Sequence, residues 1–123
     1  MKEWNEISKK IDEQISVGIQ VPKTNSEFRK VTRRVENRIY MRTGVKTEAE
    51  KYTTKEMIQY AYTIMSQGGE FTSEKLIARF PNEYSNGSCV FSMTGGILVL
   101  LGVARCIKNP SGRGVAYVSI DEK

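Results

Sequence analysis

Leu98-Val-Leu-Leu-Gly102-Val-Ala-Arg-Cys-Ile-Lys-Asn-Pro110-Ser-Gly112-Arg-Gly114-Val-Ala-Tyr-Val-Ser-Ile120 is the stretch that decides the fold. An apolar helix end stops at Gly102, where glycine supplies the left-handed cap that other residues resist. Val103 to Lys108 and Val115 to Ile120 are short runs suited to strands. Between them Pro110, Gly112, Arg113 and Gly114 reverse the chain through a tight loop with a basic tip. The spacing predicts a helix running straight into a β-hairpin.

Start and stop signals place further helices upstream. Thr53-Thr54-Lys55-Glu56 has the spacing of a capping box and opens a helix that Gly68-Gly69 closes. Its apolar residues Met57, Ile58, Ala61, Tyr62, Ile64 and Met65 form a broad face. Thr72-Ser73-Glu74 starts the next helix, with Leu76, Ile77 and Phe80 inward and Pro81 at its end. The turn-rich segment Asn82 to Ser88 leads to a last helix over about 88–101. The expected core is Ile58, Ala61, Ile64, Leu76, Ile77, Ile97, Leu98, Leu101 and Val118.

In order, residues 53–120 give helix, short extended link at Glu70-Phe71, helix, turn, helix, strand, loop, strand. That order resembles the winged helix–turn–helix superfamily. The expected architecture is α+β and mainly helical, a winged-helix domain at 52–120 behind an N-terminal helical extension at 1–51. The resemblance implies that the third helix enters a DNA major groove while the wing touches the backbone. Asn86, Ser88, Ser92 and Thr94 would then face the bases, with Tyr84 near the turn and Arg105, Lys108 and Arg113 on the wing. The sequence departs from the usual pattern at one point: no lysine or arginine lies between Phe80 and Arg105. The commonest specific contact, arginine to guanine, is therefore closed to this helix. Gly95-Gly96 also weakens its middle by about 1 kcal/mol per glycine relative to alanine.

In the extension, Trp4, Ile7, Ile11 and Ile15 recur at helical spacing over residues 3–15. A seam that begins with tryptophan either docks on the domain or pairs with a second copy in a dimer. Val17 to Val21 reads as a short extended piece stopped at Pro22. Thr24-Asn25-Ser26-Glu27 is another capping-box pattern, predicting a helix over about 26–42 that Gly44 ends. On it Phe28, Val31, Val35 and Ile39 share one face. Arg29, Lys30, Arg33, Arg34 and Arg38 spread over the other, with Arg42 at the margin.

The net charge of +5 is concentrated there: residues 28–46 hold seven basic side chains against Glu36 alone. A local excess of that kind implies a polyanionic partner. The chain has no histidine, and no carboxylate pair stands at catalytic spacing, so the residues point away from an enzyme. Cys89 and Cys106 are too few for a structural zinc site and read as thiols, and no cofactor motif is present. The apolar run from Gly95 to Ala104 is too short to span a bilayer and no signal peptide opens the chain, which predicts a cytoplasmic protein off the membrane. The six tyrosines are scattered along the chain and show no stacking motif.

Two functions follow as expectations. One is double-stranded DNA binding by a transcription or replication regulator of prokaryotic or phage type. The other is a winged-helix adaptor whose uncharged third helix docks on a larger protein machine such as a polymerase.

Overall fold

The computed structural model describes residues 3–24, 27–42, 50–84 and 89–120. In chain order they form α1 (Trp4–Gln14), β1 (Gln20–Pro22), β2 (Phe28–Val35), β3 (Arg38–Arg42), β4 (Glu50–Thr54) and α2 (Lys55–Ser66). Then come α3 (Ser73–Arg79), α4 (Pro81–Tyr84), α5 (Cys89–Leu100), β5 (Ala104–Lys108) and β6 (Val115–Ser119). The architecture is α+β, with a four-stranded antiparallel sheet ordered β1-β2-β3-β4 and a separate two-stranded sheet β5-β6.

The helices after residue 52 start where the sequence implies, although the first cap is Thr54 and not the Thr53 of the box, which is buried against Thr94. The Thr54 hydroxyl accepts a hydrogen bond from the Met57 amide at 3.1 Å, and Thr72 accepts one from Lys75 at 3.3 Å. Each satisfies a first-turn donor that would otherwise be orphaned. Gly102 takes φ 82° directly after α5, and β5 then pairs with β6 from Ala104↔Ser119 to Lys108↔Val115. Phe71, in the extended link, exchanges both backbone hydrogen bonds with Tyr117 of β6 at 2.9 and 3.0 Å.

The basic helix expected over 26–42 does not exist. Those residues form β2 and β3, joined by a two-residue loop at Glu36-Asn37 with Val35 opposite Arg38. Glu36 sits at φ 55° to make that turn. The helical reading failed for a physical reason. Six cations on one helix would repel without acids four residues away to offset them. The β-branched Val31, Thr32, Val35 and Ile39, with Phe28 and Tyr40, suit a pleated surface instead. Of the apolar seam, Val31 and Ile39 are buried, whereas Phe28 is 58% and Val35 42% exposed. The capping-box pattern at Thr24 belongs to a reversal between β1 and β2, where the Lys23 amide donates to the Glu27 carbonyl at 2.7 Å; Asn25 and Ser26 lie outside the described residues, as does the expected stop at Gly44.

α5 is apolar on every side and is covered along most of its length, with Leu100 at its end left 37% exposed. Val90, Phe91, Met93, Thr94, Gly95, Gly96, Ile97 and Leu98 are all buried, with α2, β1, β4 and β5 packed around them. A helix hydrophobic all round belongs in an interior. Its two central glycines set how closely the strands approach. A methyl group at Gly95 would fall within the Tyr117 ring, and one at Gly96 would lie 2.5 Å from the Pro22 carbonyl oxygen.

α1 lies on this core. Ile7, Ile11 and Ile15 are fully buried within the chain, and Trp4 sits 6.0 Å from the Tyr62 ring. The seam is thus docked on its own chain: the three isoleucines offer no exposed surface to a second copy, and Trp4 is half-buried against the core. Buried residues from Ile7 to Tyr117 form one cluster, and β4 runs through the 51/52 boundary. Ile58, Ala61, Leu76, Ile97, Leu98 and Leu101 are buried as expected, while Ile64 and Val118 are only half-buried. Ile77 is 42% exposed, because the short α3 turns only its Leu76 side inward.

Two consequences can be measured. Alanine normally stabilises a helix by about 1 kcal/mol over glycine, yet Gly96→Ala should destabilise by roughly 1–3 kcal/mol, because the new methyl meets rigid backbone. Urea unfolding checks the sign. The second concerns Asp12, whose Oδ1 lies 2.7 Å from Lys55 and 3.4 Å from Arg34. The hydrogen bond from Lys55, with its charge and that of Arg34, holds the Asp12 carboxyl below its ordinary range. Its stabilisation is present above the unfolded value near pH 4 and is lost as pH falls through the lowered value. In Asp12→Asn that acid-dependent loss should shrink by about 0.2–1 kcal/mol, small because the carboxylate is largely exposed.

Candidate nucleic-acid interface

Strand alternation divides the basic residues between two faces. Arg29 points inward, only 8% exposed. Its Nη1 donates to the Ser92 hydroxyl at 2.8 Å, and Ser92 in turn donates to the Cys89 carbonyl. A bulge between Val31 and Arg33 then shifts the phase of β2. As a result Arg34 lies opposite the buried Ile39 and turns inward, donating to the Ile15 carbonyl at the end of α1 at 2.6 Å. Lys30, Arg33, Arg38 and Arg42 stay on the solvent side.

The two-residue turn sets Arg33 opposite Tyr40 in unbroken register from Val35↔Arg38, and Tyr40 in turn lies opposite Tyr52. The outer face therefore carries a cross-strand ladder of planar groups. The Arg33 guanidinium carbon lies 4.0 Å from the Tyr40 ring centre, and that of Arg38 lies 4.6 Å from Tyr52. The two tyrosine rings are 5.4 Å apart, and Arg38 donates to the Tyr40 hydroxyl at 3.3 Å. Stacking on a ring face holds a guanidinium in one plane while leaving its other face to solvent.

One carboxylate stands among them. Glu50 accepts from the Thr32 hydroxyl at 2.6 Å and from Arg33 at 3.0 Å. The Thr32 hydrogen bond, then those from Arg33 and the charges of Arg33 and Arg42, lower its pKa against slight desolvation. At the hairpin end the charge reverses: Val35 and Arg38 border a cleft also lined by Glu36, Glu56 and Glu83.

The residues expected to read bases are elsewhere. Ser92 is taken by Arg29. Thr94 is fully buried, accepting from Thr53 across 2.6 Å and donating to the Val90 carbonyl at 2.8 Å. Asn86 and Ser88 lie outside the described residues. Arg105, Lys108 and Arg113 are exposed on the β5–β6 hairpin. Its loop is built: the Asn109 amide donates to the Arg113 carbonyl, and its oxygen accepts from the Ser111 amide at 3.0 Å. Among the described residues no group of His, Cys, Asp or Glu is gathered for a metal, and no helix is long and apolar enough to cross a membrane.

The helical reading of β2–β3 missed the role of Tyr40, Tyr52 and Glu50, and left Arg42 at the margin. The available signal was the two-residue turn, which fixes the β2–β3 pairing that brings Arg33 beside Tyr40; Tyr52 joins them only through the β3–β4 register. No protein-family model, curated protein or solved structure matches the chain.

The two adjacent arginines should separate experimentally. Arg34→Ala should lose roughly 1–3 kcal/mol, because it strips the Ile15 carbonyl of its partner. Arg33→Ala, a solvent-face change, should stay within about 0.5 kcal/mol of the parent. Denaturant melts of the two variants test this.

Proposed function

We propose that this chain binds nucleic acid through the outer face of its four-stranded sheet, with the β5–β6 wing as a second contact to phosphates. The observation that carries this reading is the projection of Lys30, Arg33, Arg38 and Arg42 from one face, with Glu50 as the carboxylate set among them. Phosphate neutralisation by such cations dominates nucleic-acid affinity. The helix order after residue 52 and the Phe71–Tyr117 bridge support a winged helix–turn–helix reading of that part. In such a unit the third helix normally faces DNA. Here β1 and β4 pack on α5, and its hydroxyls are spent internally. The sheet is then what this unit presents in place of the helix. The adaptor reading loses its surface for the same reason, since it relied on the uncharged face of α5.

Anisotropy of labelled oligonucleotides at about 50 and 200 mM salt tests the proposal, because affinity that rests on phosphates falls steeply between them. Lys30→Ala combined with Arg42→Ala should weaken every sequence about equally and reduce the log–log salt slope by roughly 1–2 units. No binding to any nucleic acid at the lower salt overturns the reading.

A further inference from the structure

Phosphate contacts account for the cations of the outer face but not for its rings. Tyr40 and Tyr52 stand side by side across β3 and β4, each with a guanidinium laid over it. Phe28, 58% exposed, shares that face at the start of β2, opposite Pro22. Tyr40 and Tyr52 are half-buried and Phe28 is exposed, so three aromatic side chains gather on one solvent-facing side of the sheet. Planar groups of this kind match the face of a nucleobase. In a duplex those base faces are stacked on one another and only the base edges are open in the grooves. A single strand exposes them, and sheets that present aromatic side chains stack unpaired bases.

We propose that the outer face of β2–β4 is a binding platform for single-stranded DNA. Bases stack on the tier formed by Arg33, Tyr40, Tyr52 and Arg38, while Lys30 and Arg42 hold the phosphates. The inference rests on the nucleic-acid reading above and narrows it to one substrate class. The acidic lining of the cleft at the hairpin end, with Glu36, Glu56 and Glu83, repels phosphates and turns the strand toward Lys30 and Arg42. Among the described residues of this face the fixed side-chain acceptors are already engaged, which leaves a 2′-hydroxyl little to donate to and favours DNA over RNA. The carboxylate on this face, Glu50, is already held by Thr32 and Arg33, and the Thr54 hydroxyl is occupied as the cap of α2.

The test compares a labelled oligo(dT), its duplex with oligo(dA), oligo(U), and the polyanion heparin on the full chain at about 50 mM salt, where phosphate contacts are strongest. The expected result is at least about tenfold tighter binding of oligo(dT) than of the duplex, with oligo(U) no tighter than oligo(dT). Tyr40→Leu with Tyr52→Leu should cost oligo(dT) roughly ten- to a hundredfold, leave heparin affinity unchanged, and be rescued by phenylalanine at both positions. Ultraviolet crosslinking of the unaltered chain to oligo(dT) should map to Tyr40 or Tyr52, which decides the matter even if the leucine pair fails to fold. Equal binding of duplex and single strand, no effect of the leucine pair, or crosslinks confined to other residues would overturn the platform while leaving phosphate-driven binding intact. Tighter binding of oligo(U) overturns the choice of DNA. Absence of all binding overturns the nucleic-acid reading itself and the platform with it.

Discussion

The structure is organised by the need to cover α5. Its sequence from Cys89 to Leu100 contains no charged residue, so no face of it is stable against water. α2 covers one side and the β5–β6 hairpin another, the latter through Tyr117 on Gly95. What remains is closed by β1 and β4, with the Pro22 carbonyl resting on Gly96. Both glycines are costly for helix formation, and both are needed because the strands come closer than a β-carbon allows. Even the polar atoms of α5 are used in this closure. Thr94 meets Thr53 of β4, and Ser92 receives Arg29 of β2. The sheet is thus a lid on the helix.

Once the sheet is fixed on its inner side, one inserted residue decides the chemistry of its outer side. Strict alternation from Arg29 and Val31 would send Arg33 inward and Arg34 outward. The irregularity at Thr32 reverses that order. Arg34 then goes to the end of α1, where it ties Ile15 and Asp12 to the hairpin. Arg33 goes to solvent beside Tyr40 and Glu50. The bulged Thr32 itself supplies the hydroxyl that positions Glu50. A single register shift therefore builds the anchor of α1 and the basic face together.

Legibility divides at about residue 52. The C-terminal part is written in local signals, with a threonine cap one residue past the start of the Thr53 box, a cap at Thr72 and a glycine stop at Gly102, and these are legible because each acts within one turn of chain. The segment from Phe28 to Arg42 was misread because Phe28, Val31, Val35 and Ile39 fit a period near 3.6, while the true period of 2 is broken by the bulge and the turn. A sequence pattern interrupted twice in fifteen residues loses its alternation. Tyr40 and Tyr52 are twelve positions apart and adjacent only through β3–β4 register, so a tyrosine scatter in sequence became a pair in space. The same register hides which cations are free. Arg29 and Arg33 look equivalent in the chain, yet one is buried on Ser92 and the other is stacked at the surface.

The state of Arg33 explains how a face carrying a carboxylate still favours anions. Its pair with Glu50 is exposed to solvent on both sides, and such pairs are weak because water and salt screen them. The guanidinium is held by the Tyr40 ring at 4.0 Å as well as by the acid beside it, so one of its two contacts is independent of the ion pair. An incoming phosphate can replace the Glu50 contact without rearranging the plane, and little ordering entropy remains to be lost at that side chain. Glu50 keeps its Thr32 hydrogen bond throughout and stays charged. It lies opposite Arg42 at one end of the face, where Arg42 and Arg33 together offset its charge, and the four cations Lys30, Arg33, Arg38 and Arg42 outweigh it across the face as a whole.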